Sequence, residues 1–246
     1  MTLPKIDVPV FTLTLPYSEK KIQYRPFTVK EEKILLFGQQ SRDPRQIALA
    51  VKQVVQNCII SDHDIADLPS FEVDYLFLKL RSVSVNNVIN IKIKDEEDDQ
   101  FYDAEVDLEQ VNLVSEKTHA GKFNLNDTYM VKLRFPSFKN IEEVTKAQVD
   151  SVITDGTSAG KLTFDLVGET IESVYSEDGS EVFFLKDYDR AERVEFLESL
   201  SSKNFTEIQA FLSSIPQLRH TVTYEKEDGT KVDRELRGLF DFFMFA

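Results

Sequence analysis

Helices and antiparallel strands occupy separate stretches of this 246-residue chain, an order that predicts an α+β fold. Three observations carry the prediction. Capped segments of helical period fill the first third, residues alternating apolar and polar fill the middle, and helical spacing returns before a closing hairpin signal. The expected architecture is an N-terminal arm and helices, a central small antiparallel sheet, and a C-terminal helical region with a terminal β-hairpin. In residue numbers these regions are 1–87, 88–138 and 139–246. No repeat or low-complexity linker separates them, so one continuous domain is also compatible.

Residues 8–15 alternate loosely and stop at Pro16, which predicts an arm or edge strand. A second short strand over 21–27 ends at Pro26. Thr28 and Glu31 form a capping-box pattern for a helix to about Gln39. Asp43 and Pro44 read as an N-cap and first helical position. Behind them Ile47, Val51, Val54, Val55 and Cys58 make one apolar stripe. Ser70 is expected to cap a third helix, with Val73, Leu76, Phe77 and Leu80 on one face and Phe71, Tyr75 and Leu78 on another. A helix apolar most of the way round is either buried or shared with a partner. Ile89, Ile91 and Ile93 alternate with polar residues on a half-buried strand. Residues 95–99 form a solvated acidic turn, and Ala104, Val106 and Leu108 lie on the return strand. Tyr129, Val131, Leu133 and Phe135 mark a third strand. Asn140 and Glu143 suggest a capped helix to about Ile153, residues 154–160 a loop, and 161–175 a helix aligning Phe164, Val167, Ile171 and Val174. Asp189 starts a helix to about Leu200. Ile208, Phe211, Leu212 and Ile215 mark the next, ended by Pro216. Asp228 and Gly229 set a hairpin between strands carrying Val222, Tyr224 and Val232.

The balance of 43 acidic against 29 basic residues leaves a formal charge of −14. Such a surface repels phosphate backbones and anionic lipid, so neither nucleic acid nor membrane is an expected partner. No stretch approaches the length of a membrane span, and no leader pattern opens the chain, which predicts a cytoplasmic location. Cys58 is the single cysteine; it rules out a disulfide within the chain and a cysteine zinc site, and its place on the stripe marks it as core.

No motif assembles chemistry. Gly156, Gly160 and Lys161 suggest a phosphate loop, but three residues separate the glycines where four are needed, and Leu162 stands where Ser or Thr would hold magnesium. The acidic run at 95–99 lacks calcium-loop spacing. His63, His119 and His220 are scattered. No cofactor, metal ligand or catalytic residue is assigned. An enzyme (a hydrolase or transferase) built from distant carboxylates and histidines is the alternative. The closing stretch 239–245, with Phe240, Phe242 and Phe243, is either docked on the chain's own core or an anchor for a neighbour.

Three stretches together carry a family resemblance. Tyr24–Leu36 (YRPFTVKEEKILL), Asp74–Ser84 (DYLFLKLRSVS) and Leu236–Phe243 (LRGLFDFF) are similar to signatures of the T4-type bacteriophage baseplate hub and hub assembly proteins. Some relatives carry paired cysteines before the third pattern; residues 217–234 here have none. The resemblance implies a tail baseplate hub protein, either a structural component or an assembly factor. It implies binding to other hub proteins and the tape-measure protein, without enzymatic activity. Its place would be the host cytoplasm during assembly or the virion baseplate, and it says nothing of self-association. Within the resemblance, Arg25, Pro26, Phe27, Lys30 and Glu31 form a structural signature. Tyr75, Phe77, Leu80, Arg81, Phe240, Phe242 and Phe243 are candidates for partner binding.

Overall fold

The computed structural model describes residues 7–41, 43–95, 97–115, 120–143 and 159–244. The fold is α+β, with helices beside four small antiparallel sheets. The chain divides into two compact units, Met1–Val114 with Gln217–Ala246, and Ser115–Pro216. This partition differs from three consecutive regions, because the chain returns to its first unit at the end. The return is fixed by strand pairing. Gln217 sits in register with Val114, so the residues flanking the second unit are hydrogen-bonded neighbours in the first.

In the first unit, β1 (Phe11–Thr14) and β2 (Lys21–Tyr24) form a hairpin with Leu13 opposite Ile22. Its turn is tied from outside the hairpin. The backbone N–H groups of Tyr17 and Ser18 both donate to Oε1 of Glu72 at 2.8 Å. Glu72 is fully buried on α3 (Ser70–Ser84), whose expected cap is shifted by one residue. Pro69 holds the cap position without a side-chain bond, and Ser70 is the first helical residue. Phe71, Val73, Leu76, Phe77, Leu78 and Leu80 are all buried, which settles the all-round apolar helix as a core element.

Helices α1 (Val29–Ser41) and α2 (Pro44–Cys58) pack as a pair. The five residues of the expected α2 stripe are buried, with Cys58 at its end. Gly38 permits the close approach: a Cβ there would lie 2.7 Å from that of Ala50. Strands β3 (Val88–Lys94) and β4 (Phe101–Asp107) form the expected hairpin, with Ile89, Ile91 and Ile93 buried in strict alternation. β5 (Asn112–Val114) pairs with β10 (Gln217–Glu225), which pairs with β11 (Lys231–Arg237). Gly229, at φ +82°, makes the predicted turn. The short α7 (Gly238–Met244) then packs against β10, β11 and α3.

The acidic turn at 95–99 is anchored as well as solvated. Asp95 is buried, accepts the hydroxyl of Tyr224, and lies 3.0 Å from Nζ of Lys226. The Tyr224 hydrogen bond, with those from Lys226 and from the backbone of Glu97 and Asp98, outweighs desolvation and holds its carboxyl far below the usual range. One buried charge thus joins the β3–β4 turn to β10.

The second unit holds the sheet β6 (Lys122–Asn124), β7 (Tyr129–Leu133), β8 (Ile171–Ser176) and β9 (Val182–Phe184), in that order. Its helices are α4 (Ala159–Thr170), α5 (Arg190–Ser199) and α6 (Ser202–Leu212). Val131, Leu133, Val167, Ile171, Val174, Leu197, Ile208 and Phe211 are buried together in its core. Asp189, where the sequence starts the helix, caps α5 with a complete capping box to Glu192.

Two expectations change here. The helix expected over 161–175 stops at Thr170, and Ile171 and Val174 lie on β8 opposite Leu133 and Val131. Their spacing suits a helix, but β-branched side chains paired across a sheet bury equally well, and tertiary pairing prevails. The helix expected from Asn140 begins earlier. Ser137 is its cap, and Asn140 is the reciprocal partner, accepting the Ser137 N–H at 3.1 Å and donating its own N–H to Ser137 Oγ at 3.2 Å. The remainder of that helix and most of the loop at 154–160 lie outside the described residues.

Candidate interaction surfaces

The stretch Arg25–Glu31 is a structural knot. Glu31 is 1% exposed at the start of α1. Its carboxylate accepts the N–H and the hydroxyl of Thr28 at 2.9 and 2.7 Å and pairs with Arg25 at 3.2 Å. Arg25 also donates to the carbonyls of Asn57 at 3.1 Å and Pro26 at 3.0 Å, reaching the end of α2. The Phe27 N–H donates to Ser84 Oγ at 2.9 Å, at the end of α3. Strand β2, α1, α2 and α3 therefore meet around two charges. Burial pushes the Glu31 carboxyl up, but the hydrogen bonds from Arg25 and Thr28 and the Arg25 charge outweigh it and hold the group at about 2. Lys30, alone of the five, is fully solvent-facing. Burial meanwhile pushes the Cys58 thiol up to about 11, which suppresses thiolate chemistry.

The seven partner-binding candidates separate sharply. Phe77, Leu80 and Phe242 are buried in the first unit and present no surface in this fold. Tyr75 is half-buried and packs against the β3–β4–β10 cluster. Arg81 is half-buried, with its Nε sequestered and unpartnered. Phe240 is 40% exposed. The side chain of Phe243 lies outside the described residues. Asp241, beside Phe242, accepts the Arg237 N–H at 2.8 Å and fixes the entry to α7.

The most exposed apolar surface lies elsewhere. Val29, Leu36 and Phe37 stand at i, i+7 and i+8 on one face of α1, and Phe37 is 72% exposed. Leu49 on α2 is also exposed. The signal was present in the sequence. Ile34, Leu35, Leu36 and Phe37 are consecutive, and four successive helical residues span most of a turn, so they cannot all face one core. Leu35 is buried and its two successors are left outside.

Of the histidines, His63 lies before a short 3₁₀ turn and His220 sits within β10 opposite Leu236, while His119 lies outside the described residues. Among the described residues, no group of three His, Cys, Asp or Glu side chains is placed to hold a metal ion. None of the described helices is long and apolar enough to cross a membrane.

No curated protein sequence and no solved structure matches the chain. A family does: the model described as "T4 bacteriophage base plate protein" matches residues 8–244, a span that takes in the Arg25–Glu31 knot, the buried α3 and the docked α7. The chain belongs to the T4 bacteriophage base plate protein family, and its role is that of a phage baseplate protein.

Proposed function

We propose that this chain works at the central hub of the baseplate, as a structural component or assembly factor, by binding other hub proteins and the tape-measure protein rather than by catalysis. The observation that carries the reading is the exposed apolar face of α1. Val29, Leu36 and Phe37 face water on a chain whose net charge is −14. Exposed apolar side chains of this kind are stabilised by covering them, and large assemblies bury such residues between subunits.

The test is affinity recovery from infected cells, with mass spectrometry, for the wild type and for a Leu36→Ser, Phe37→Ser variant. Recovery of hub or tape-measure proteins by the wild type and their loss in the variant is the expected result. Recovery of no tail protein by the wild type overturns the hub reading. The protein content of purified virions then separates the two forms of the role: a component stays in the particle and an assembly factor leaves it.

A further inference from the structure

The second unit carries a groove of about 530 Å³ between the sheet and α5. Val174 and Leu185 form its floor, and Tyr129, Phe183, Phe196 and Tyr188 form its walls. Both floor residues belong to the core of the unit, so the groove opens directly onto buried apolar surface. The wall has a fixed geometry: the rings of Tyr129 and Phe183 meet edge to face at 6.2 Å, and the Tyr129 hydroxyl donates to Glu181 at 2.8 Å.

The mouth is acidic. Glu192 and Glu195 line it from α5 and are both exposed. The lining cation, Arg193, is drawn to Glu169 at 2.9 Å and leaves their charge uncompensated.

We propose that this groove seats a large apolar side chain, of leucine or phenylalanine size, carried on a basic segment of a partner protein. Its volume lies within the range of sites that enclose a ligand group, and its floor is apolar without converging polar atoms, which suits a hydrophobic anchor more than a polar metabolite. The glutamates at the mouth select lysine or arginine flanks and reject acidic ones. The same rule disfavours a second copy of this chain, since two surfaces of net charge −14 repel. The proposal rests on the hub reading only for the statement that the partner is a phage protein.

The test uses the full chain and labelled synthetic peptides read by fluorescence anisotropy. One peptide has a central Leu-Phe pair with two lysines on each side, a second replaces the lysines by glutamates, and a third replaces Leu-Phe by Ser-Ser. The lysine-flanked peptide is expected to bind at least ~10-fold tighter than either control, with affinity falling as salt rises. Ser199→Trp, which fills the groove from the exposed end of α5, abolishes binding while leaving the melting temperature unchanged. Glu195→Gln weakens it by about threefold to fivefold, the worth of one exposed charge. Equal binding of the three peptides, no binding, or affinity indifferent to Ser199→Trp overturns the proposal. Light scattering of the full chain adds one more refuting result: a dimer that Ser199→Trp dissociates makes a second copy the occupant. Recovery from infected cells with Ser199→Trp separates this idea from the hub reading. An unchanged set of hub proteins refutes the groove and leaves the hub role standing, whereas failure of the wild type to recover any tail protein refutes the hub role and leaves the peptide result to decide the groove.

Discussion

Replacing Glu31 by Gln removes one charge from the knot while keeping its size. The carboxyl sits at about 2 against an ordinary 4.5. That difference corresponds to ~3 kcal/mol of stability at neutral pH, at 1.36 kcal/mol per pH unit. The sign follows from linkage. The folded-state value is depressed, so the stabilisation is complete above the unfolded value and is lost as pH falls through the folded one, between roughly 4.5 and 2. Removing one partner of a buried pair also strands Arg25, which donates to Asn57 and Pro26 but keeps its charge. The assay is urea unfolding of wild type and Glu31→Gln at pH 7, 4.5 and 3, with amide exchange in α1 assigning the loss to the first unit. The expected gap between the proteins is about 3 kcal/mol at pH 7, little smaller at pH 4.5, and about 1.4 kcal/mol at pH 3. A gap independent of pH, or one below ~0.5 kcal/mol at pH 7, refutes the knot as an electrostatic device.

Asp74, half-buried on α3, makes the opposite case, since desolvation pushes its carboxyl up to about 7. Its raised value favours the protonated folded state, so its contribution is present at low pH and lost as pH rises from about 4 to 7. Asp74→Asn is therefore expected to stabilise by ~1–2 kcal/mol at pH 8 and by less than ~0.5 kcal/mol at pH 3.5, measured by thermal melts at both. Gly38→Ala should destabilise despite the better helix propensity of alanine, by ~1–2 kcal/mol, because its Cβ meets that of Ala50; Ala50→Gly in the same chain should restore most of the loss in denaturant titrations. Phe242→Ala should cost about 3–5 kcal/mol and Phe240→Ala under ~0.5 kcal/mol in the same titrations, and equal costs would contradict the docking of α7.

What was legible in the sequence follows a physical line. Helices announced by a start signal or a one-sided stripe, such as α5 from Asp189 and α2 with its five apolar positions, are set by interactions within a few residues, and they form where those signals place them. The hairpins β3–β4 and β10–β11 are equally local. β5, β6 and β9 are three residues each, too short to show alternation; β5 pairs only with the distant β10, while β6 and β9 pair with their sequence neighbours β7 and β8. β8 is the instructive miss. Ile171 follows Phe164 and Val167 at helical spacing, and only the pairing with β7 reveals where the helix ends. The discontinuous first unit was hidden for the same reason, since the register of Gln217 with Val114 is a long-range fact.

The proposed interaction surfaces lay on the less legible side of that line. Several residues within the stretches that carry the family resemblance do folding work: Glu31 closes the knot, Phe77 and Leu80 fill the first core, and Phe242 pins α7 to it. Those positions tolerate few alternatives because a buried ion pair or a filled cavity penalises nearly every change. An exposed apolar residue faces no such penalty within the folded chain. Phe37, exposed on the outer face of α1, is tolerated by the fold without being required by it. An exposed apolar residue that does not serve the core is thus a better pointer to a partner than a buried one, which directs mutagenesis toward the outer face of α1 at Leu36 and Phe37 and toward the mouth of the α5 groove before the buried residues of the signatures.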